Sequence, residues 1–261
     1  MKPTLRLALT TLVLGWAACC HAQAAASGPL ASPHGASARR VTFNPATDSH
    51  GYLALPRGPG RHPAIIAIQE WWGLNDWVRA QADQLAAAGY VVLAPDLYHG
   101  KSADTPQGAM ALVQAFDRQR GLQDLQAAYA YLHRRRDVGD IGVIGWCFGG
   151  GLSAALAEQQ PGLKACVVYY GEVPGDVATA ARIHAPVLGN FGGADRSITP
   201  DKVKAFEQAM QQAGRPADVK IYPGMPHAFA GSRATAPEQI AAARDAWART
   251  LAFLHAHLGR Q

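Results

Sequence analysis

The sequence predicts an α/β fold: a mostly parallel sheet of about eight strands, antiparallel at its start, with helices on both faces. Two observations carry that expectation. Short β-branched runs alternate with longer amphipathic stretches along most of the 261 residues, with no internal repeat. One of those runs, Ile141-Gly142-Val143-Ile144, passes directly into Gly145-Trp146-Cys147-Phe148-Gly149-Gly150, a strand–turn–helix transition.

Taken in order, strands are expected at Val41–Phe43, Tyr52–Leu55, Ala64–Ile68, Tyr90–Ala94, Ile141–Ile144, Ala165–Tyr169, Val187–Phe191 and Val219–Tyr222. Helices fall between them. Trp77–Ala88 carries Val78, Ala82, Leu85 and Ala86 at helical spacing and stops at Gly89. Leu122–Leu132 places Leu125, Ala128 and Leu132 on one face. The small residues from Gly149 to Ser153 begin another helix. Thr199-Pro200-Asp201 supplies a cap and a first-turn proline, and a last helix runs from Pro237 to Leu258. In such a sheet the site lies at the carboxyl ends of the strands.

The G-x-C-x-G turn has a chemical logic. A nucleophile on a sharp strand-to-helix turn sits in strained backbone, and bulky neighbours would clash with it. The helix N-terminus points free N–H groups at the thiol of Cys147, which favours a thiolate and later an oxyanion. An acid belongs after a later strand. Asp195 fits, in the turn Gly192-Gly193-Ala194-Asp195. A base belongs on a loop after one more strand. His227 fits, in Pro226-His227-Ala228-Phe229. Nucleophile, acid, base is the chain order of an α/β-hydrolase fold. His227 would move the thiol proton while Asp195 holds the imidazole tautomer.

These motifs, together with Gln69-Glu70-Trp71-Trp72-Gly73-Leu74-Asn75, Ala94-Pro95-Asp96-Leu97-Tyr98 and Tyr169-Tyr170-Gly171, resemble the dienelactone hydrolase family, a Cys-His-Asp branch of the α/β-hydrolases. The resemblance runs from about residue 40 to the C-terminus, which makes residues 39–261 one domain. It implies hydrolysis of ester or lactone bonds through an acyl-enzyme. No cofactor is expected, and no metal, because no carboxylate or histidine cluster has zinc spacing. The resemblance implies that Glu70 is a buried carboxylate controlling the thiol, and burial after the apolar strand raises its pKa. It also implies an oxyanion hole from the backbone N–H groups of Trp71 and Phe148. The family's substrate-gripping arginines are not in their expected places. The stretch after Phe229 reads Ala230-Gly231-Ser232-Arg233, and the segment Lys101–Gln107 has no arginine. Arg233 or Lys101 either replaces them or is solvated surface charge. Trp72, Tyr98 and Tyr170 are further candidate substrate contacts, with core packing as the alternative for each. A thioesterase or acyltransferase, or a non-catalytic binding protein, would use the same fold.

The N-terminus reads as a leader. Met1–Arg6 is short and basic, Leu7–Ala18 is apolar, and Ala22-Gln23-Ala24 suits cleavage before Ala25. Residues 1–24 are thus expected as a signal peptide and 25–38 as a disordered linker, giving a secreted or periplasmic protein without an integral span. Cys19 and Cys20 leave a lipid anchor as the rival. Loss of Lys2 and Arg6 lowers the formal charge of +5 by two. The densest basic run, His133-Arg134-Arg135-Arg136, ends a predicted helix, so no nucleic-acid patch is expected. A monomer acting on a small ester or lactone is the expected state. Cys147 and Cys166 are expected at opposite ends of adjacent strands and unable to bridge. His255 and His257, two apart on a helix, make a poor metal pair.

Overall fold

The computed structural model describes residues 37–259. The expected signal peptide lies outside them, as does the linker up to residue 36. Eight strands form one sheet: β1 (Ser37–Asn44), β2 (Ser49–Leu55), β3 (His62–Ile68), β4 (Val91–Pro95), β5 (Val138–Trp146), β6 (Ala165–Tyr169), β7 (Val187–Gly192) and β8 (Ala217–Tyr222), in spatial order β1-β2-β4-β3-β5-β6-β7-β8. β2 pairs antiparallel with both β1 and β4, and every other pairing is parallel. The linker expected to 38 is therefore too long, because Ser37 and Ala38 already pair with Leu55 and Ala54.

Alternation along the strands builds a core on each face. Ile66, Ile68, Val143, Cys166 and Val168 pack against α3 (Arg118–His133), α4 (Phe148–Gln159) and α6 (Pro200–Gln212). Ile65, Ala67, Ile144 and Val167 pack against α1 (Asp76–Ala87) and α7 (Pro237–Leu258). Successive strand residues point to opposite faces, so buried strands read as continuous apolar runs. Two short helices were not expected: α2 (Pro106–Gln114), where only Ala109 is buried, and α5 (Val177–Ala180). Among the described residues no helix is long and apolar enough to cross a membrane.

All the helices but α4 and α7 start where a side chain satisfies orphan N–H groups. Asn75 Oδ1 accepts from Val78 N at 3.1 Å, and Asp117 Oδ1 from Gln119 N at 2.9 Å. Thr105 and Thr199 cap α2 and α6, each followed by proline.

Candidate active site

Four loops at the carboxyl ends of β3, β5, β7 and β8 bring Glu70, Cys147, Asp195 and His227 together. Cys147 follows β5 directly and stands at the N-cap of α4 with φ 55° and ψ −115°. A non-glycine residue held there costs on the order of 1–3 kcal/mol. Of the described non-glycine residues with positive φ, Cys147, Tyr170 and Ala228 all sit at this site. The strain is held by close packing of α4 on the sheet. A Cβ on Gly149 would stand 2.4 Å from the carbonyl oxygens of Ile68 and Gln69, so only glycine lets α4 approach β3 this closely.

The sulfur of Cys147 lies 3.0 Å from Nε2 of His227, and Nδ1 of that ring lies 2.6 Å from Oδ2 of Asp195. Asp195 is buried, and its other oxygen accepts from the N–H groups of Ser197 at 2.8 Å and Ile198 at 3.0 Å. Those two donors fix the carboxylate, which fixes the ring. The loops are tied to each other as well: Ala194 N donates to Met225 O at 2.9 Å. Tyr170 packs edge-on against the imidazole, with ring centroids 5.4 Å apart.

Glu70 is 2 % exposed. Its Oε2 accepts from the Ser232 hydroxyl at 3.1 Å and the Ser232 N–H at 3.4 Å. Burial pushes the carboxyl pKa up, against the Ser232 hydrogen bonds and the positive field of His227 and Arg233, which pull it down. The expected thiolate at Cys147 is not the resting state. Burial first, then the Glu70 and Asp195 charges, push its pKa up to about 12, against a single lowering hydrogen bond from the Phe148 N–H. Desolvation plus two nearby carboxylates outweighs one helix N-terminus.

The cavity beside the sulfur holds about 340 Å³ and is lined by Glu70, Trp71, Trp72, Cys147, Ser197, His227, Ala228, Ser232 and Arg233. Trp71 and Trp72 meet edge to face with centroids 4.9 Å apart. Arg233 is exposed and lies over the Trp72 ring at 4.1 Å, so it belongs to the rim rather than to open solvent. Tyr98 and Tyr170, candidates for substrate contact, are buried and do not line the cavity. Tyr98 packs on Phe148 and Phe116, Tyr170 on His227 and Phe229. Ser197, Ala228 and Ser232 complete the lining unforeseen. Ser232 stands in the very stretch where an arginine was missing. A recess among Arg61, His62, Tyr90 and His255 lies at the amino ends of β3 and β4, away from these groups. Cys147 and Cys166 are both free thiols, and Cys166 pairs in register with Val143. Among the described residues no cluster of three or more His, Cys, Asp or Glu could hold a metal ion.

Known proteins share this arrangement of sequence and fold. The profile of the dienelactone hydrolase family matches residues 49–258. A Salmonella typhimurium relative named "putative carboxymethylenebutenolidase" is 31% identical, over 91% of this chain and 96% of its own length. A Bradyrhizobium protein named "probable 2-oxo-3-(5-oxofuran-2-ylidene)propanoate lactonase" is 32% identical over 79% of this chain and 89% of its own. The crystal structure titled as a "putative dienelactone hydrolase" from Klebsiella pneumoniae superposes with a TM-score of 0.74 at 30% identity, covering 84% of this chain and 98% of that one. Matched by profile, relatives and fold alike, the chain belongs to the dienelactone hydrolase family and is a hydrolase of carboxylic ester or lactone bonds.

Proposed function

We propose that Cys147 is the nucleophile of this hydrolase and that the reaction passes through an acyl-enzyme. The observation that carries the reading is the relay from sulfur to Nε2 at 3.0 Å and from Nδ1 to carboxylate at 2.6 Å, on a strained turn at a helix N-terminus. As the sulfur attacks the carbonyl carbon, His227 takes the thiol proton and passes it to the departing alkoxide. Water then attacks the thioester, again losing a proton to His227, and the acid leaves with the thiol restored. Asp195 holds the ring tautomer and stabilises the imidazolium. The N–H groups of Trp71 and Phe148 receive the oxyanion, each such donor being worth about 10²–10³ in rate. The resting thiol is protonated, so its proton must move as substrate binds. Glu70, buried beside it and at its most repulsive when ionised, tunes that step.

Export belongs to the same proposal. It is supported by the basic segment Met1–Arg6, the apolar segment Leu7–Ala18 and the small residues Ala22-Gln23-Ala24.

The test is hydrolysis of a panel of activated esters and lactones by wild type and Cys147→Ser, before and after reductant. The variant is expected to lose at least about 10³ in kcat. Equal turnover by the two proteins would overturn the nucleophile. Dependence of wild-type turnover on reductant would show how readily Cys147 oxidises.

A further inference from the structure

The rim of the cavity holds an arginine that is already bound to the protein. Arg233 Nη2 donates to the backbone carbonyl of Asp104 at 2.6 Å, and the guanidinium plane lies 4.1 Å from the centre of the Trp72 ring. One edge and one face of the group are thus committed to the protein. Both partners belong to segments that are themselves joined. Ala103 N donates to Trp72 O at 2.9 Å, and Gly73 packs so closely on Lys101 that a Cβ would stand 2.7 Å from its carbonyl oxygen. The neighbouring Ser232 holds Glu70. Arg233 therefore connects the loop after β3, the segment before α2 and the loop after β8.

We propose that Arg233 is a clasp across the mouth of the cavity, and that the site takes uncharged esters or lactones with an apolar acyl group. The proposal rests on the Cys147 reading for its chemistry, and names the substrate class of that site. Of the residues lining the cavity, Arg233 is the only lysine or arginine, and it is engaged. Trp71 and Trp72 give the walls apolar area. A substrate carboxylate entering there would leave water for walls that offer it no uncommitted lysine or arginine.

As a positioning residue, Arg233 should act on kcat for every substrate alike. The experiment compares p-nitrophenyl hexanoate with mono-p-nitrophenyl adipate, its ω-carboxylate analogue, using wild type, R233A, R233Q and C147S. Wild type is expected to favour the hexanoate by about tenfold or more in kcat/KM. R233A is expected to lose about 10–10² on both esters, mainly in kcat, because loops misplaced by an ångström cost that much. R233Q, which removes the guanidinium and ends well short of the Asp104 carbonyl, should share the loss of R233A. Wild-type preference for the adipate, or an R233A loss confined to it, would make Arg233 a charge receptor and overturn the proposal. So would an R233A or an R233Q enzyme equal to wild type. Should R233A not fold, R233Q against wild type reads the same ratio between esters. Turnover that survives C147S would sink the nucleophile reading and leave that ratio readable.

Discussion

At Cys147 two demands oppose each other. The helix N-terminus and the Phe148 N–H favour an anion, while burial and two carboxylates disfavour it, and the thiol rests at about 12. At that value only about one thiol in 10⁴ is ionised at pH 8. Alkylation by iodoacetamide should therefore be slow, and Glu70→Gln should speed it at fixed pH, about tenfold for each unit by which the thiol falls. An unchanged alkylation rate would remove Glu70 from control of the sulfur. The same variant makes a stability prediction. The folded pKa of Glu70 lies above its unfolded value, so its contribution is complete below the ordinary carboxyl range and is lost as pH rises through the folded pKa. Glutamine escapes that loss. The Tm of the variant minus that of wild type should grow from about pH 4 to about pH 8, and parallel Tm curves would contradict it. The sequence made Cys147, Asp195 and His227 legible because each follows a strand in a fixed order. It did not reveal the charge state, because the two opposing carboxylates come from other loops. Nor did it reveal Arg233 on Trp72, a contact between residues far apart in the chain.

Among the elements, α4 is the one whose placement the chemistry depends on. Gly149→Ala should destabilise the fold by about 1–3 kcal/mol in urea unfolding, because its Cβ would meet two carbonyl oxygens and α4 would have to move off β3. Unchanged stability would mean that the helix has room to shift. Buried strands and amphipathic helices were legible, and all eight expected strands are present. The starts of helices were less so. α3 begins at Arg118, well before the apolar face that announced it, because its first residues are exposed and only the Asp117 cap marks them. α2 went unseen for a related reason, with one buried residue in the whole helix. Periodicity reports burial, and an exposed helix has none to report.

Across the whole molecule, sheet geometry decides the redox chemistry. Cys166 lies beside Val143, within the sheet, while Cys147 stands beyond the last residue of β5. Peptide mapping after treatment with oxidised glutathione should find no disulfide joining the peptides that contain Cys147 and Cys166. A linked peptide would contradict the register. The site also draws on loops distant in sequence. His227 lies 80 residues after Cys147, and Ser232 lies 162 after Glu70. The segments that complete it come late in the chain. At about 5–20 residues per second, translation delivers the histidine about 4–16 s after the cysteine. During that interval the growing polypeptide carries Cys147 without the imidazole that lies against it, and Glu70 without the serine that holds it. Assembly of the site thus has a birth time, set by when the final loop and the helix that follows it join the folding chain.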